Sequence, residues 1–258
     1  MNIAGREIGP GHPPYCVAEL SGEHKGSITR AYDLIYAAAQ AGADAVKIQV
    51  FDPDALAEAR GGKDKIVTEP LWAGRTLGDL YAETWTSKAW IPDLFRYAAD
   101  EGITLFASVF SLDDADFLEW HVQCPAYKVA SREAHNPHLV SAAAKTGKPL
   151  IISTGTATDE QLGRSIAVAA LHTNQIALLY CVSQYPAPIE SIDFDQIGVL
   201  RHRYQLPVGF SDHTVGIEAA VKAVEHGACI IEKHLTLSRA DGGPDAAFWL
   251  EPHELKEL

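Results

Sequence analysis

The sequence predicts an α/β protein with the (β/α)8, or TIM-barrel, fold. Along its 258 residues, eight apolar stretches rich in β-forming residues alternate with amphipathic stretches of helical period. Several helical stretches end in Ala-Gly or Thr-Gly before the next strand, and glycine is favoured just after a helix C-terminus. Strands joined by crossover helices form a parallel sheet, and eight such strands can close a barrel.

Each predicted strand is a short apolar run. In chain order the runs are YCVAEL (15–20), DAVKIQVF (44–51), ITLFASVF (103–110), AYKVAS (126–131), PLIISTG (149–155), IALLYCVS (176–183), LPVGFSDH (206–213) and CIIEKHLTL (229–237). Clear examples of the helices between them are residues 27–43, 136–148 and 216–228. An open doubly wound sheet is the alternative, but no GxGxxG sequence follows the first strand to indicate a dinucleotide fold.

Two features depart from a minimal barrel. Residues 52–90 are too long for a simple connection after the second strand, so we expect an excursion over the barrel mouth. The chain also stops at EPHELKEL, early in what should be the eighth helix. We therefore expect a single domain over residues 1–258, truncated near the start of that helix.

Composition excludes several classes of function. A formal net charge of −13 argues against a nucleic-acid partner, because phosphate contacts require a basic surface. The N-terminus lacks the apolar segment of a signal peptide and no run is long enough to span a membrane, so we expect a cytoplasmic protein without a membrane partner. The four cysteines are far apart without a CxxC pair, which indicates reduced core thiols.

The alternation within the strands predicts which side chains face the barrel interior. In the second strand, Val46, Ile48 and Val50 share one face, and Lys47 and Gln49 share the other. We expect the polar pair to point inward, because the active sites of such barrels lie at the C-terminal ends of the strands.

Polar residues also lie at the C-terminal ends of the other strands. The same alternation groups Ser211 with His213, and Glu232 with His234, on the last two strands. The remaining strand ends carry Glu19, Ser108, Lys128, Ser131, Glu133, Ser153, Thr154, Ser183 and Tyr185. A single polar residue at a strand end is usually a solvated rim residue, but convergence of many at one rim indicates a site.

The residue types at this rim suggest their chemistry. Two imidazoles on neighbouring strands, those of His213 and His234, can hold a divalent metal ion with positions left open for substrate and water. The ammonium groups of Lys47 and Lys128, with the nearby hydroxyls, suit a phosphate or a carboxylate. The residues therefore predict an anionic substrate bound beside a metal ion.

At these residues the sequence resembles the sialic acid synthase family, the phosphoenolpyruvate-dependent synthases of nonulosonic acids. The resemblance rests on the motifs AGADAVKIQVF, KTGKPLIISTGTAT, YPAPIES, LPVGFSDHTVGIEAAVKAVEHGACIIEKHLTL and GGPDAAFWLEPHEL, which occur in the family's order. Within the family, LWAGRTLGDLY and LSRADGGPDAAFWLEP are most similar to the pseudaminic acid synthases. Sialic and legionaminic acid synthases are similar but usually differ in those two stretches.

The resemblance implies a condensation of phosphoenolpyruvate with an open-chain N-acetylated amino sugar, with release of phosphate. For the pseudaminic branch the sugar is 2,4-diacetamido-2,4,6-trideoxy-L-altrose. The implied cofactor is a divalent metal, Mn²⁺ by preference, with Mg²⁺ or Co²⁺ as alternatives. The competing hypotheses are a sialic or legionaminic acid synthase, or a catalytically reduced barrel that binds phosphoenolpyruvate or sugar without turnover.

The resemblance also implies a role for each matching residue. His213 and His234 would bind the metal ion, Glu133 would handle the protons of the attacking water, and all three count as catalytic. The residues implied to hold phosphoenolpyruvate are Lys47, Ser108, Lys128, Ser131, Ser153, Ser183, Tyr185 and Ser211. Those implied to contact the sugar are Glu19, Gln49 and Asp245.

Two departures from the family stand out. After the first strand the family usually has Asn-His-Asn-Gly, whereas here GEHKG places Glu23 and Lys25 at the two Asn positions. Family members also usually continue into a small C-terminal antifreeze-like domain, which we expect to be absent from this chain. The family dimer depends partly on that domain, so the resemblance allows a homodimer without requiring one.

Overall fold

Eight parallel strands close into a barrel in the computed structural model, which describes residues 1–243 and 245–258. A short antiparallel ribbon precedes the barrel and consists of β1 (Asn2–Ile3) and β2 (Arg6–Glu7). The barrel strands are β3 (Tyr15–Glu19), β4 (Ala45–Val50), β5 (Thr104–Val109), β6 (Tyr127–Val129), β7 (Leu150–Ser153), β8 (Ile176–Tyr180), β9 (Val208–Asp212) and β10 (Ile230–His234). They follow chain order around the barrel, and β10 pairs with β3 to close it. The predicted fold class is therefore confirmed.

Helices connect the strands. They are α1 (Ile28–Ala41), α2 (Pro53–Ala59), α3 (Leu77–Thr84), α4 (Ile91–Asp100), α5 (Leu112–His121), α6 (Pro137–Lys145), α7 (Asp159–Ala169), α8 (Asp195–Tyr204), α9 (Glu218–Glu225) and α10 (Pro252–Glu257). Local chemistry sets their ends. Asn136 caps α6 by accepting from the amides of His138 and Leu139, with Pro137 at the first helical position. Gly42 ends α1 in the left-handed conformation, which glycine adopts without strain.

The core lies between the barrel and the helices and inside the barrel itself. Val46, Ile48 and Val50 are buried in β4, as are the apolar faces of the surrounding helices. Burying one large aliphatic side chain contributes about 1.5–3 kcal/mol, so this layer dominates the stabilisation of the fold. Among the described residues, no helix has the length and apolar character that a bilayer crossing requires.

The long segment after β4 forms the excursion that the sequence predicts. It contains α2, a 3-10 turn at Pro70–Trp72, and α3, and an isolated bridge joins Ile66 to Thr76. Its apolar side chains form a small core of their own with the end of β4, made of Phe51, Leu56, Ala57, Val67, Leu77, Leu80 and Tyr81. This separate core explains how so long a connection keeps a defined shape over the barrel mouth.

All eight barrel strands are shorter than the apolar runs from which they were predicted. The clearest case is the run 126–131, because the strand ends at Val129 and Ser131–Glu133 forms a 3-10 turn. The backbone amide of Glu133 donates to the carbonyl of Ala130 at 3.0 Å, so the chain turns before the run ends. Ser131 and Glu133 therefore lie on a turn above the barrel, not within its sheet.

Candidate active site

Strand register brings the predicted polar residues together. Glu19 of β3 pairs in register with Lys47 of β4 on one side and with His234 of β10 on the other. Farther round the barrel, Ser108 of β5 is in register with Lys128 of β6. Because parallel strands in a barrel present alternate residues to the interior, these side chains meet inside the mouth.

A buried network of charges forms the floor of this site. Lys47 Nζ donates to Ser108 Oγ at 3.0 Å and is ion-paired with Glu19. Lys128 Nζ lies 3.2 Å from Glu232 Oε1, and Glu232 Oε2 lies 3.8 Å from Lys47 Nζ. Ser211 Oγ also donates to Glu232 at 2.9 Å. Two ammonium groups and two carboxylates therefore face one another inside the barrel.

The floor network shifts the ionisation of its members. Burial opposes a charge on Lys47, but the charges of Glu19 and Glu232 outweigh it and raise the pKa of Lys47. Burial lowers the pKa of Lys128 in spite of the nearby Glu232 carboxylate. Burial also opposes ionisation of Glu232, but Lys128 and Lys47 together lower its pKa. Lys47 is therefore the more firmly charged of the two lysines.

A cavity of about 210 Å³ opens above the floor. The predicted site residues in its wall are Gln49, Ser131, Glu133, Ser183, Tyr185, His234 and Asp245. Gln49 Nε2 donates to Glu19 Oε1 and to Ser21 Oγ, both at 2.9 Å, and so connects the wall to the floor. Ser131 Oγ lies 3.3 Å from Ser183 Oγ. The site thus has two levels, a floor of buried charges and a wall of mixed apolar, polar and charged side chains.

The two histidines lie side by side, with ring centroids 5.6 Å apart. His213 Nδ1 lies 2.9 Å from the carbonyl oxygen of Val182, which only accepts hydrogen bonds, so Nδ1 carries the proton and Nε2 keeps its lone pair. The Nδ1 of His234 lies 3.4 Å from Ser21 Oγ. Burial lowers the pKa of both imidazoles, His234 more strongly because His213 and Lys47 add to the effect.

Neutral imidazoles with a free nitrogen are the form that binds a metal ion, so His213 and His234 fit a divalent cation. Their Nδ1 partners fix the ring orientation, as outer-shell contacts do in metal sites. In the part of the chain that the structure describes, no group of three or more His, Cys, Asp or Glu side chains is arranged as a metal site. A cation held here would have two protein ligands and open positions for other donors.

Glu133 lies in the cavity wall and pairs with Arg60 from the end of α2. Arg60 also donates to Tyr81 Oη at 2.7 Å, and its guanidinium lies 5.5 Å from the centre of that ring. A second cavity of about 400 Å³ adjoins the first beneath the excursion, and both cavities have Arg60 and Glu133 in their walls. The excursion therefore contributes a charge to the site.

Asp245 lies in the wall on the loop after β10. Burial raises its pKa to about 8, and the carboxylates of Glu23, Glu19 and Glu83 add to that shift. A carboxyl group with such a pKa is largely protonated at neutral pH. Asp245 can therefore donate a hydrogen bond as well as accept one.

The structure does not bring every predicted residue to one point. Lys128 lies in the floor, whereas Ser131 and Glu133, predicted to cluster with it, lie in the wall beyond the turn. Ser153 is buried at the end of β7. Tyr185 reaches the histidines, because its ring centre lies 4.3 Å from that of His213.

Three residues with clear contacts in the site were given no chemical function from the sequence. Glu232 was placed at the rim by its alternation with His234, and it lies at the centre of the floor. Ser21 bonds to Glu19, Gln49 and His234, but a serine just after a strand carries no specific signal. Arg60 lies in the excursion, where no periodic pattern relates a residue to the barrel.

Comparison with known proteins agrees with the motifs. A model of the NeuB family matches residues 34–258. The chain is 39% identical over 245 residues to a pseudaminic acid synthase of Campylobacter jejuni, covering 95% of the chain and 71% of that protein. It is 34% identical to an N,N'-diacetyllegionaminic acid synthase of Legionella pneumophila, with 95% and 70% of the two chains covered.

A solved structure supports the same relationship. The crystal structure of N-acetylneuraminic acid synthetase from Leptospira borgpetersenii, in complex with citrate, matches with a TM-score of 0.90 at 30% identity. The match covers 100% of this chain and 85% of that one. Fold, sequence and motif order thus agree, and the chain belongs to the NeuB family of nonulosonic acid synthases.

Proposed function

We propose that this protein is a pseudaminic acid synthase, which condenses phosphoenolpyruvate with 2,4-diacetamido-2,4,6-trideoxy-L-altrose and releases phosphate. The observation that carries the proposal is the convergence of two buried lysines and two neutral histidines at one barrel mouth. The similarity to pseudaminic acid synthases over nearly the whole chain supports the choice of sugar. Sialic and legionaminic sugars are the alternative substrates.

Phosphoenolpyruvate would bind over the floor of the site. Lys47 and Lys128 supply the positive charge for its phosphate and carboxylate, and hydroxyl groups complete the hydrogen bonds. The proposed hydroxyl donors are Ser108, Ser131, Ser153, Ser183, Tyr185 and Ser211. Because burial disfavours a charge on Lys128, an arriving dianion would stabilise its ammonium form.

The sugar would bind against the wall, with Glu19, Gln49 and Asp245 as its hydrogen-bonding partners. His213 and His234 would hold a divalent cation, Mn²⁺ by preference, with Mg²⁺ or Co²⁺ as alternatives. When bound, that cation would polarise the sugar aldehyde. Gln49 is held by two hydrogen bonds before any ligand arrives, so it can orient the sugar without being reordered.

Counting only σ bonds between heavy atoms, the chemistry then requires a C–C and a C–O bond to form and one C–O bond to break. C3 of phosphoenolpyruvate attacks the aldehyde carbon, and the aldehyde oxygen takes up a proton. C2 is left as an oxocarbenium ion, to which water adds with loss of one proton. The C–O bond to phosphate then breaks and the new C2 hydroxyl gives its proton to the departing phosphate, leaving the 2-keto acid and inorganic phosphate. Glu133 is the proposed acceptor of the proton from that water, because its carboxylate lies in the cavity wall.

Phosphate release from phosphoenolpyruvate tests the proposal. The protein would be assayed with Mn²⁺ and, in parallel, with the diacetamido altrose, the corresponding legionaminic precursor and N-acetylmannosamine. We expect release with the altrose sugar alone, and its loss when EDTA removes the metal. Release with another sugar would overturn the choice of substrate. Binding of phosphoenolpyruvate without release in any mixture would identify a barrel that binds substrate without turnover.

A further inference from the structure

A cluster of charges joins the turn after β3 to the loop between β10 and α10. We call it the Glu23 clamp, and it consists of Glu23, Lys25, Arg30, Thr236 and Asp241. Glu23 is fully buried and accepts hydrogen bonds from Thr236 Oγ1 at 2.7 Å and from Arg30 Nη2 at 2.9 Å. Lys25 Nζ lies 3.3 Å from the same Glu23 oxygen.

The two cations of the clamp also reach the loop directly. Arg30 Nη1 lies 2.9 Å from a carboxylate oxygen of Asp241. Lys25 Nζ donates to the carbonyl of Asp241 at 3.1 Å and also to the carbonyl of Gly242. Each cation therefore bridges Glu23 on one side and the loop on the other.

The backbone of the loop packs tightly on the clamp. A methyl group at Gly243 would lie 3.0 Å from Glu23 Oε2 and 3.5 Å from Lys25 Cε. Gly243 also has a φ of +141°, a backbone angle that residues with a side chain rarely adopt. Only glycine therefore allows the loop to lie this close to Glu23, and the next described residue is Asp245 in the cavity wall.

These contacts balance in charge, with two cations facing two carboxylates. A buried carboxylate is costly unless it is paired and hydrogen-bonded. Glu23 Oε1 meets both conditions through Arg30, Lys25 and Thr236, whereas Glu23 Oε2 has no hydrogen-bond partner among the described residues. Removing its charge leaves Arg30 and Lys25 without the buried carboxylate that holds both of them beside β3. Their direct contacts to Asp241 and Gly242 would remain, but the two cations would hold the loop less firmly at its distance from β3.

We infer that the Glu23 clamp positions the loop that carries Asp245. Binding of the sugar therefore depends on the clamp, whereas binding of phosphoenolpyruvate does not. The inference rests on the proposed function, which assigns Asp245 to the sugar. The clamp residues are positioning residues, because none of them lines the cavity. The charged residues in GEHKG, which depart from the family's usual pattern, thereby acquire a defined role.

The test is Glu23→Gln, which removes the charge and keeps the shape. We expect the KM for the sugar to rise by roughly tenfold or more, as expected when a charge-assisted contact is lost. The KM for phosphoenolpyruvate and the affinity for Mn²⁺ should stay unchanged. Hydrogen exchange of the amides of residues 238–243 should become faster. Glu160→Gln, which breaks the exposed pair with Arg164, is the matched control and should change none of these.

A second pair of variants tests the inference in case Glu23→Gln fails to fold. Lys25→Met should raise the KM for the sugar in the same way. Lys25→Arg, which keeps the positive charge, should leave that KM close to the wild-type value. If the wild type is active and the KM for the sugar is unchanged in both Glu23→Gln and Lys25→Met, the inference is overturned and the proposed function is not. A wild type that releases no phosphate would instead overturn the proposed function. Unchanged hydrogen exchange of residues 238–243 in Glu23→Gln would disprove the clamp itself.

Discussion

At the scale of single residues, His213 shows how a side chain is prepared for its proposed role. The Val182 carbonyl fixes its tautomer, the Tyr185 ring packs beside it, and burial lowers its pKa. We predict that His213→Ala weakens Mn²⁺ binding by more than the roughly 10–100-fold that loss of an outer-shell partner causes, because one of two protein ligands is lost. Electron paramagnetic resonance of free Mn²⁺ measures this directly, without an assay of activity.

The exposed His202 provides the control for that measurement. His202→Ala removes the same ring from the last turn of α8, and it should leave Mn²⁺ affinity unchanged. Equal affinity in wild type and His213→Ala would refute the ligand assignment.

At the scale of elements, Gly209 in β9 is required by the closeness of its neighbours. A methyl group there would lie 2.4 Å from the carbonyl oxygen of Ile230 and 2.7 Å from Leu179 Cδ2. We predict that Gly209→Ala destabilises the protein by about 1–3 kcal/mol or more, because a backbone atom of β10 must move. Urea unfolding gives the free energy change from the midpoint and slope.

Gly198 in α8 is the matched control for that prediction. It has open space around the position of a methyl group and lies within a helix. Gly198→Ala should therefore stabilise the protein by roughly 0.5–1 kcal/mol, the usual helical preference for alanine. If both substitutions had the same effect on unfolding, close packing at β9 would not be the reason for Gly209.

At the scale of the whole molecule, buried histidines make stability depend on pH. Burial lowers the pKa of His24 to about 4, against 6.5 in an unfolded chain. Between these values the unfolded state binds the proton first, so stability falls as the pH drops from 6.5 towards 4. His213 and His234 act in the same direction. For His24 alone the full loss is about 3 kcal/mol.

We predict that His24→Asn, which keeps an acceptor for the amide of Gly26, reduces the fall in unfolding free energy between pH 7 and pH 4.5. Urea unfolding at both pH values measures the difference. The exposed His12 serves as the reference position, because His12→Asn should leave the pH dependence as it is in the wild type. A fall of equal size in His24→Asn would contradict the assignment to His24.

The predictable part of the fold and site follows from local patterns. Alternation in DAVKIQVF was enough to place Lys47 and Gln49 on the inner face, and the excursion was expected from its length alone. Arg60 and Ser21 could not be predicted in the same way. Arg60 meets Glu133 only because the excursion folds back over the mouth, and such long-range contacts leave no periodic signal in the chain.

Periodicity, strand count and motif order were enough to predict the barrel, its family and the polar character of its mouth. The division of the polar side chains between the floor and the wall of the site depends instead on long-range contacts made in the folded protein. Closure of the barrel pairs Glu232 with Lys128, and the Glu23 clamp attaches the loop of Asp245 to the turn after β3. Charges that lie far apart in the chain acquire partners and shifted pKa values only when folding buries them together.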